Sequence, residues 1–325
     1  MMQKEPGIII GPITKLLGVV FNYVFSVVYN ITQTNALGIS IIAITVVVRI
    51  LIWPLSGKQI KSSIKMQKLQ PQINKLREKY LGKNKNDVEA QKKFNVEMQK
   101  LYNENGVNPA GGCLLAFIQL PIFMALNQLL ACSYYYIDII GNTYEKLAQK
   151  IMSIPNYVAI IKPLAEPKVP NNMQIDLRLL SDMQKVINKF TFSDWNNFIL
   201  RINPDFKRVI KNILAKKEAL ENFFGIDLVE PCGMNWPGVI IPILVVLVTF
   251  LSSYLMMRTT SQIHVDDVSA GQQKMFLFVM PLLMGFLTLN LSSGVGVYWI
   301  TSSVMQSLQQ FFFMSKYNEK LRGAT

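Results

Sequence analysis

The sequence predicts an all-α membrane protein, and three observations predict it. The first is length. A helix rising about 1.5 Å per residue needs about 20 apolar residues to cross a hydrocarbon core of about 30 Å. Residues 36–55, 109–132, 237–257, 275–291 and 295–314 each supply such a run. The second is composition: 50% hydrophobic and 16% charged residues, with a mean hydropathy of +0.27, is too apolar for an ordinary soluble protein and too charged for a bare bundle of spans. The third is the placement of charge. The net charge of +13 sits largely in the connectors beside the apolar runs, which suits lipid headgroups better than nucleic acid.

In residues 1–35, the stretch Ile8 to Ile31 carries Gly11, Lys15, Gly18, Asn22, Ser26 and Asn30 every three or four positions. That spacing gives a helix one narrow polar stripe. An interfacial helix on the outer face fits the pattern; a sixth span is the alternative, and either enters the 36–55 span from outside. Residues 56–108 then form a basic connector, with 12 Lys/Arg against 5 Asp/Glu between 58 and 104. The positive-inside rule makes it cytoplasmic. Ile60, Ile64, Leu69, Ile73, Leu76 and Tyr80 follow helical spacing, Pro71 kinks or restarts the helix, and Asn86 followed by Glu89 predicts the cap of a second helix. A cytoplasmic helical hairpin results, with Lys61, Lys65, Lys68, Lys75, Arg77 and Lys79 as its contact residues.

After the 109–132 span, residues 133–236 lie outside as a partly helical insertion, with amphipathic runs near Gln184 to Lys189 and Phe206 to Phe224. The 237–257 span returns to a cytoplasmic loop at 258–274. The last two spans follow, joined by a tight outer turn assigned to Gly294 and Gly296, and residues 315–325 form a short cytoplasmic tail.

Arg49 is the single charge of the first span. At a helix centre it would cost about 2.5–3.5 kcal/mol, so it needs a partner, water, or a snorkelling route to the interface. In the last span Trp299, Ser302, Ser303, Gln306, Gln309 and Gln310 share one helical face. Gln119, Thr249 and Ser252, with Ser253, add polar groups to the second and third spans. The economical account is a water-accessible cavity lined by Gln119, Thr249, Ser252, Tyr298, Trp299, Ser302, Ser303, Gln306 and Gln310, with Arg49 as its positive charge.

Neither three scattered cysteines without a CxxC nor the single His264 predicts a metal site, and no cofactor motif is present. "GVNPAGG" lacks the Lys-Ser/Thr of a phosphate loop. Cys132 and Cys232, at the outer ends of two spans, are a candidate disulfide in oxidising surroundings; two unpaired thiols are the alternative.

Three blocks, "RILIWPLSGKQIKSSIKMQKLQPQINKLREKY", "LYNENGVNPAGGCLLAFIQLPIFMAL" and "MPLLMGFLTLNLSSGVGVYWITSSVMQSLQQFF", resemble the signature segments of the YidC/Oxa/Albino membrane protein insertases. The resemblance covers residues 36–131 and 237–314 well and the external insertion poorly. It implies five core transmembrane helices around a hydrophilic groove open to the cytoplasm and lipid, with the groove arginine at Arg49. The hairpin would receive substrate. It implies an insertase or chaperone, not an enzyme, in the bacterial plasma membrane. The implied partners are nascent membrane proteins, the ribosome or signal-recognition machinery, membrane lipids and, as a further candidate, the Sec translocon. The chain resembles the short form of the family, without a large preceding β-sandwich. Two other readings are a small ion channel or transporter, since "SSGVGVYW" superficially echoes a selectivity filter, and a specialised membrane-protein assembly chaperone.

Overall fold

The computed structural model describes residues 10–81, 87–107, 111–169, 175–234, 236–258 and 275–322. Nearly all of it is helical. In chain order the helices are α1 (Ile10–Thr32), α2 (Ala36–Leu81), α3 (Val88–Glu104), α4 (Gly111–Ala131), α5 (Ser133–Tyr136), α6 (Asp138–Met152), α7 (Tyr157–Ala165), α8 (Leu180–Ile187), α9 (Phe192–Arg201) and α10 (Pro204–Glu221). A two-stranded antiparallel hairpin, β1 (Asn222–Phe223) and β2 (Ile226–Asp227), pairs Asn222 with Asp227. Then come α11 (Ile240–Arg258), a π-helical turn at Met275–Val279 that leads into α12 (Met280–Thr288), and α13 (Ser293–Arg322). Among the described residues, Ile10–Thr32 and Ala36–Met66 are long and apolar enough to cross a membrane.

The chain divides into two compact units, one made of Met1–Ile44, Pro121–Pro242 and Phe286–Tyr298, the other of Thr45–Leu120, Ile243–Gly285 and Trp299–Thr325. The first contains residues 133–236, whose described part is a helical bundle. In it α6 packs against α5, α8 and α10, burying Ile140, Tyr144, Leu147 and Ile151 with Met183, Val186 and Leu220. Helix starts follow local chemistry. The Thr191 hydroxyl accepts from the Asp194 N–H while the Asp194 carboxylate accepts from the Thr191 N–H (2.8 Å), and Asn203 caps α10 ahead of Pro204.

The polar stripe of α1 turns partly inward. A Cβ on Gly18 would lie 2.7 Å from the Tyr136 ring, and Asn22 donates to the Asp138 carboxylate (2.7 Å) and accepts from its N–H (3.0 Å). The buried face is Gly11, Thr14, Gly18, Phe21 and Phe25, so only part of the stripe is packed: Lys15 and Asn30 stay exposed, as do Leu16, Val19, Tyr23 and Val27.

Gly294 and Gly296 correct the sequence reading. The turn falls at 289–292, and both glycines belong to the first turn of α13. A Cβ on Gly296 would meet Ile241 Cγ2 at 2.1 Å and one on Gly294 would meet Leu130 Cδ1 at 2.9 Å. They are glycines because neighbouring side chains occupy the Cβ space. A filter loop does not form there.

The disulfide expectation is also corrected. Cys132 and Cys232 are buried free thiols. Each has its own neighbour: the Gln128 amide reaches the Cys132 sulfur at 3.7 Å, and Ser293 hydrogen-bonds the Cys232 thiol. Burial pushes the Cys232 thiol up, away from the reactive thiolate.

Beneath α6 lies a buried charge cluster. Lys217 contacts the carboxylates of Glu221 (2.8 Å) and Asp227 (3.3 Å), and the Tyr144 hydroxyl donates to Glu221 (3.3 Å). The other Asp227 oxygen accepts from the N–H groups of Val229 (2.8 Å) and Glu230 (3.1 Å). This fixes the segment whose carbonyls receive the first N–H groups of α13: Gly294 donates to Leu228 O (2.8 Å) and Ser293 to Glu230 O (2.9 Å). Helix-start donors that lack intrahelical partners are thereby satisfied.

In the second unit α2 does not stop at the end of the predicted span. It runs unbroken for 46 residues through Pro54 and Pro71, so the 36–55 span and the first hairpin helix are one helix. Each proline removes one backbone donor without ending it. The hairpin core is Leu69, Ile73, Phe94 and Val107, flanked by Met66, Leu76, Tyr80 and Tyr102. The cap of α3 is Asp87, whose carboxylate accepts from the N–H of Glu89 (2.9 Å) and Ala90; the predicted cap Asn86, residues 259–274 and the Cys113 thiol lie outside the described residues.

Two expectations follow. Gly296→Val should lower the thermal unfolding midpoint of the purified chain, at a cost of about 1–3 kcal/mol from overpacking. Burial pushes Glu221 up to about 7 against the opposing pull of Lys217, and burial with the nearby Asp227 charge pushes Glu230 up to about 7. Folded-state values above the unfolded one mean that the bundle holds these protons more tightly when folded. Their stabilisation is full below the usual Glu range and is lost as pH rises through about 7. Asp182 and Asp194, held below the usual carboxylate range, weaken the fold only in stronger acid. Thermal unfolding should therefore show a loss of about 2 kcal/mol for each of these two carboxylates between roughly pH 5 and pH 8, so that Glu230→Gln keeps about half of it.

Candidate functional site: a buried arginine between two helices

All of the site described here lies within the second unit. Helix α2 supplies Arg49, which is 6% exposed although it sits among Val46, Val47, Val48, Ile50 and Leu51. Helix α13 supplies its acceptor. Arg49 Nε donates to Ser302 Oγ at 2.9 Å, and Nη2 donates to the same oxygen. Two helical turns further on, Gln309, fully buried, donates from Nε2 to the Arg49 carbonyl at 3.1 Å. One residue of α2 is thus gripped by its head group and by its backbone.

A second polar tie joins α11 to α13: the hydroxyls of Ser252 and Ser307 are 2.7 Å apart. Below the arginine the contacts become aromatic. Trp53 meets the rings of Phe312 (5.9 Å) and Phe313 (6.1 Å), and Lys61 lies 5.8 Å above the Phe313 ring. Gly57 makes room for that ring, which a Cβ there would meet at 2.4 Å.

At about 100° per residue, Ser302 and Gln309 fall within about 20° of each other, and this is the buried face of α13. Ser303, Gln306 and Gln310 lie about 40–100° around the helix, where Ser303 and Gln310 are half-buried and Gln306 is exposed. Val304, Leu308 and Phe311 occupy the far side and are exposed. The helix therefore has a buried polar edge, a partly open polar flank and an open apolar face.

Of the other predicted lining residues, Gln119, Thr249, Ser252 and Trp299 are half-buried. The Thr249 hydroxyl and the Gln309 side-chain oxygen are enclosed without a hydrogen-bond partner among the described residues. Tyr298 is buried, but in the first unit. Among the hairpin residues Lys61, Lys65, Lys68, Lys75 and Lys79 are exposed, Arg77 is half-buried, and Lys79 lies 4.9 Å over the Tyr80 ring. Sequence reasoning placed Gln309 on the polar stripe without marking it as the buried grip, and it missed Ser307. A helical-wheel comparison with Ser302 carries the signal for the first; a lone serine carries none for the second.

The chemistry available is electrostatic. Ser302 is neutral, so it satisfies donors of the guanidinium without cancelling its charge, and in apolar surroundings that charge is screened less than in water. Among the described residues no group of His, Cys, Asp and Glu has the arrangement of a metal site.

Ser302→Ala should cost about 1.5–3 kcal/mol in the unfolding free energy of the chain in lipid nanodiscs, because it strips the acceptor from a charged donor. Gln309→Leu should cost only about 1 kcal/mol, since it removes one neutral hydrogen bond and an enclosed oxygen.

Residues 27–320 match the family described as 60Kd inner membrane protein. The chain is 26% identical over 280 residues to the membrane protein insertase YidC 1 of Lactococcus lactis subsp. lactis, covering 86% of this chain and 69% of that protein. It is 28% identical over 275 residues to the membrane protein insertase YidC of Enterococcus faecalis, covering 85% and 66%. A shorter stretch of 97 residues is 48% identical to the membrane protein insertase YidC of Maridesulfovibrio salexigens, 30% of this chain and 17% of that one.

Proposed function

The chain belongs to the 60Kd inner membrane protein family, and from that premise we propose that it is a membrane protein insertase of a bacterial membrane. The observation that carries the reading is the buried Arg49, gripped by Ser302 and Gln309 beside a partly open polar flank. Five helices, at 36–55, 109–132, 237–257, 275–291 and 295–314, cross the bilayer around a groove that opens to the cytoplasm. Hairpin and C-terminus are cytoplasmic and residues 133–236 external. An apolar segment of a nascent membrane protein arrives at the basic hairpin. The short hydrophilic or acidic stretch next to it is drawn toward Arg49, which shortens its path through hydrocarbon, and the apolar segment slides along Val304, Leu308 and Phe311 into lipid. Partitioning drives release, and no covalent bond changes. The ribosome, the signal-recognition machinery and the Sec translocon are the partners this route would meet at the hairpin.

The test is functional replacement in a bacterial host depleted of its own insertase. The full chain should restore growth and insertion of short single-span substrates with acidic tails. Arg49→Lys should retain most of that activity, and Arg49→Ala should lower the insertion rate of acidic-tailed substrates about tenfold at equal protein level. Deletion of residues 58–103 should abolish rescue. Equal insertion of every substrate by the Arg49→Ala chain would refute the groove charge.

A further inference from the structure

Four large apolar side chains stand further out of the protein than any others among the described residues: Phe224 (81% exposed), Met234 and Trp236 (79% each) and Ile31 (78%). Far apart in sequence, they gather on one rim of the first unit. Ile31 ends α1. Asn35, in a left-handed conformation just before α2, accepts a hydrogen bond on its side-chain oxygen from the Phe224 N–H (3.0 Å), and the Phe223 ring occupies the Cβ space of Gly38. The N–H groups of Cys232 and Gly233 donate to the carbonyls of Leu291 (3.2 Å) and Leu289 (3.1 Å) in the turn between α12 and α13. Trp236 stands four residues before Ile240, where α11 begins. The rim is thus the level at which α1, α2, α11, α12 and α13 begin or end.

Rings left in water at the ends of apolar helices are unfavourable there and well suited to the headgroup layer, where aromatic side chains collect. The apolar exposure also continues past the rim: on α1 it runs through Tyr23 and Val27 to Ile31. A protein-binding patch would be closed by a polar border on every side, whereas this one continues along one side of a helix long and apolar enough to cross a membrane.

We propose that the Phe224 tip of the β-hairpin, together with Met234 and Trp236, seats the external bundle on the outer leaflet, the partner being the lipid interface. The seat rests on the membrane placement of the helices proposed above. It holds the bundle through side chains that contribute nothing to its own core.

The test uses the full chain in lipid nanodiscs, with an environment-sensitive dye on Phe224→Cys in a Cys113→Ser background, the other two thiols being buried. The Phe224 substitution removes one surface contact, with the Phe223 ring (4.7 Å between centroids), and nothing from the buried core. A second chain carries the dye on Leu247→Cys, midway along α11. Lipids bearing a nitroxide near the headgroup or deep in the acyl chain quench from the membrane, and iodide quenches from water. The expected result is a blue-shifted dye at position 224, quenched more by the shallow nitroxide than by the deep one and protected from iodide, with the position 247 dye favouring the deep nitroxide. An iodide-quenched dye at 224 beside a lipid-quenched dye at 247 overturns the seat and leaves the membrane placement standing. Iodide quenching at both positions overturns both. Self-quenching at 224 that disappears on dilution into excess lipid overturns the seat in favour of a second copy of the chain.

Discussion

A guanidinium buried inside an apolar helix constrains the second unit more than any other single group. Arg49 cannot be left in hydrocarbon without acceptors, and the backbone carbonyls around it on α2 are already used by the helix. A side-chain acceptor on another helix at a matching height ties the two helices together. Ser302 fills that place, and Gln309, two turns along, ties the Arg49 carbonyl. With these two points set, the rest of the pairing has little freedom: Trp53 falls against Phe312 and Phe313, and position 57 has to be glycine because Phe313 takes its Cβ space. Small and polar residues on α13 are where they are because α2 carries a charge.

The first unit handles buried charge in the opposite way. Lys217 is enclosed with Glu221 and Asp227 touching it, so its charge is matched at short range, and carboxylates pushed up to about 7 add or shed a proton near neutrality. Such pairs repay little of their desolvation cost and are better understood as fixing position. Here they fix Asp227 to Glu230, whose carbonyls take the first N–H groups of α13. The same helix therefore begins on a segment held by paired, titratable charges and carries, further along, the acceptor for a charge that stays.

How much of this was legible in the sequence depends on whether the signal was local. The apolar runs and Arg49 stood out because length and a lone charge need no tertiary context. Pro71 suggested a kink or a restart where α2 continues, since a proline costs one donor and tertiary packing can absorb that loss. Gly294 and Gly296 were read as a turn because a glycine pair has one appearance in sequence and two physical causes, positive φ and close approach. Periodicity found the polar face of α13 but not which edge met α2, so Gln306 and Gln309 looked alike until one proved exposed and the other buried. The Tyr144 to Glu221 contact spans 77 residues, and nothing in a single sequence announces it.

The choice of acceptor at Arg49 separates a structural arginine from a poised one. An aspartate at position 302 would satisfy the same donors, and by Coulomb attraction would hold them more tightly, yet it would cancel the field that reaches the polar flank at Ser303, Gln306 and Gln310. The five apolar runs contain neither aspartate nor glutamate. A serine hydroxyl and a glutamine amide orient the side chain and its backbone while leaving the net charge in place. Stability alone would favour replacing the arginine with leucine. Holding it through a serine hydroxyl and a glutamine amide suits a positive potential beside a partly open polar surface, which is the property the proposed groove needs in order to attract an acidic segment and then let it go.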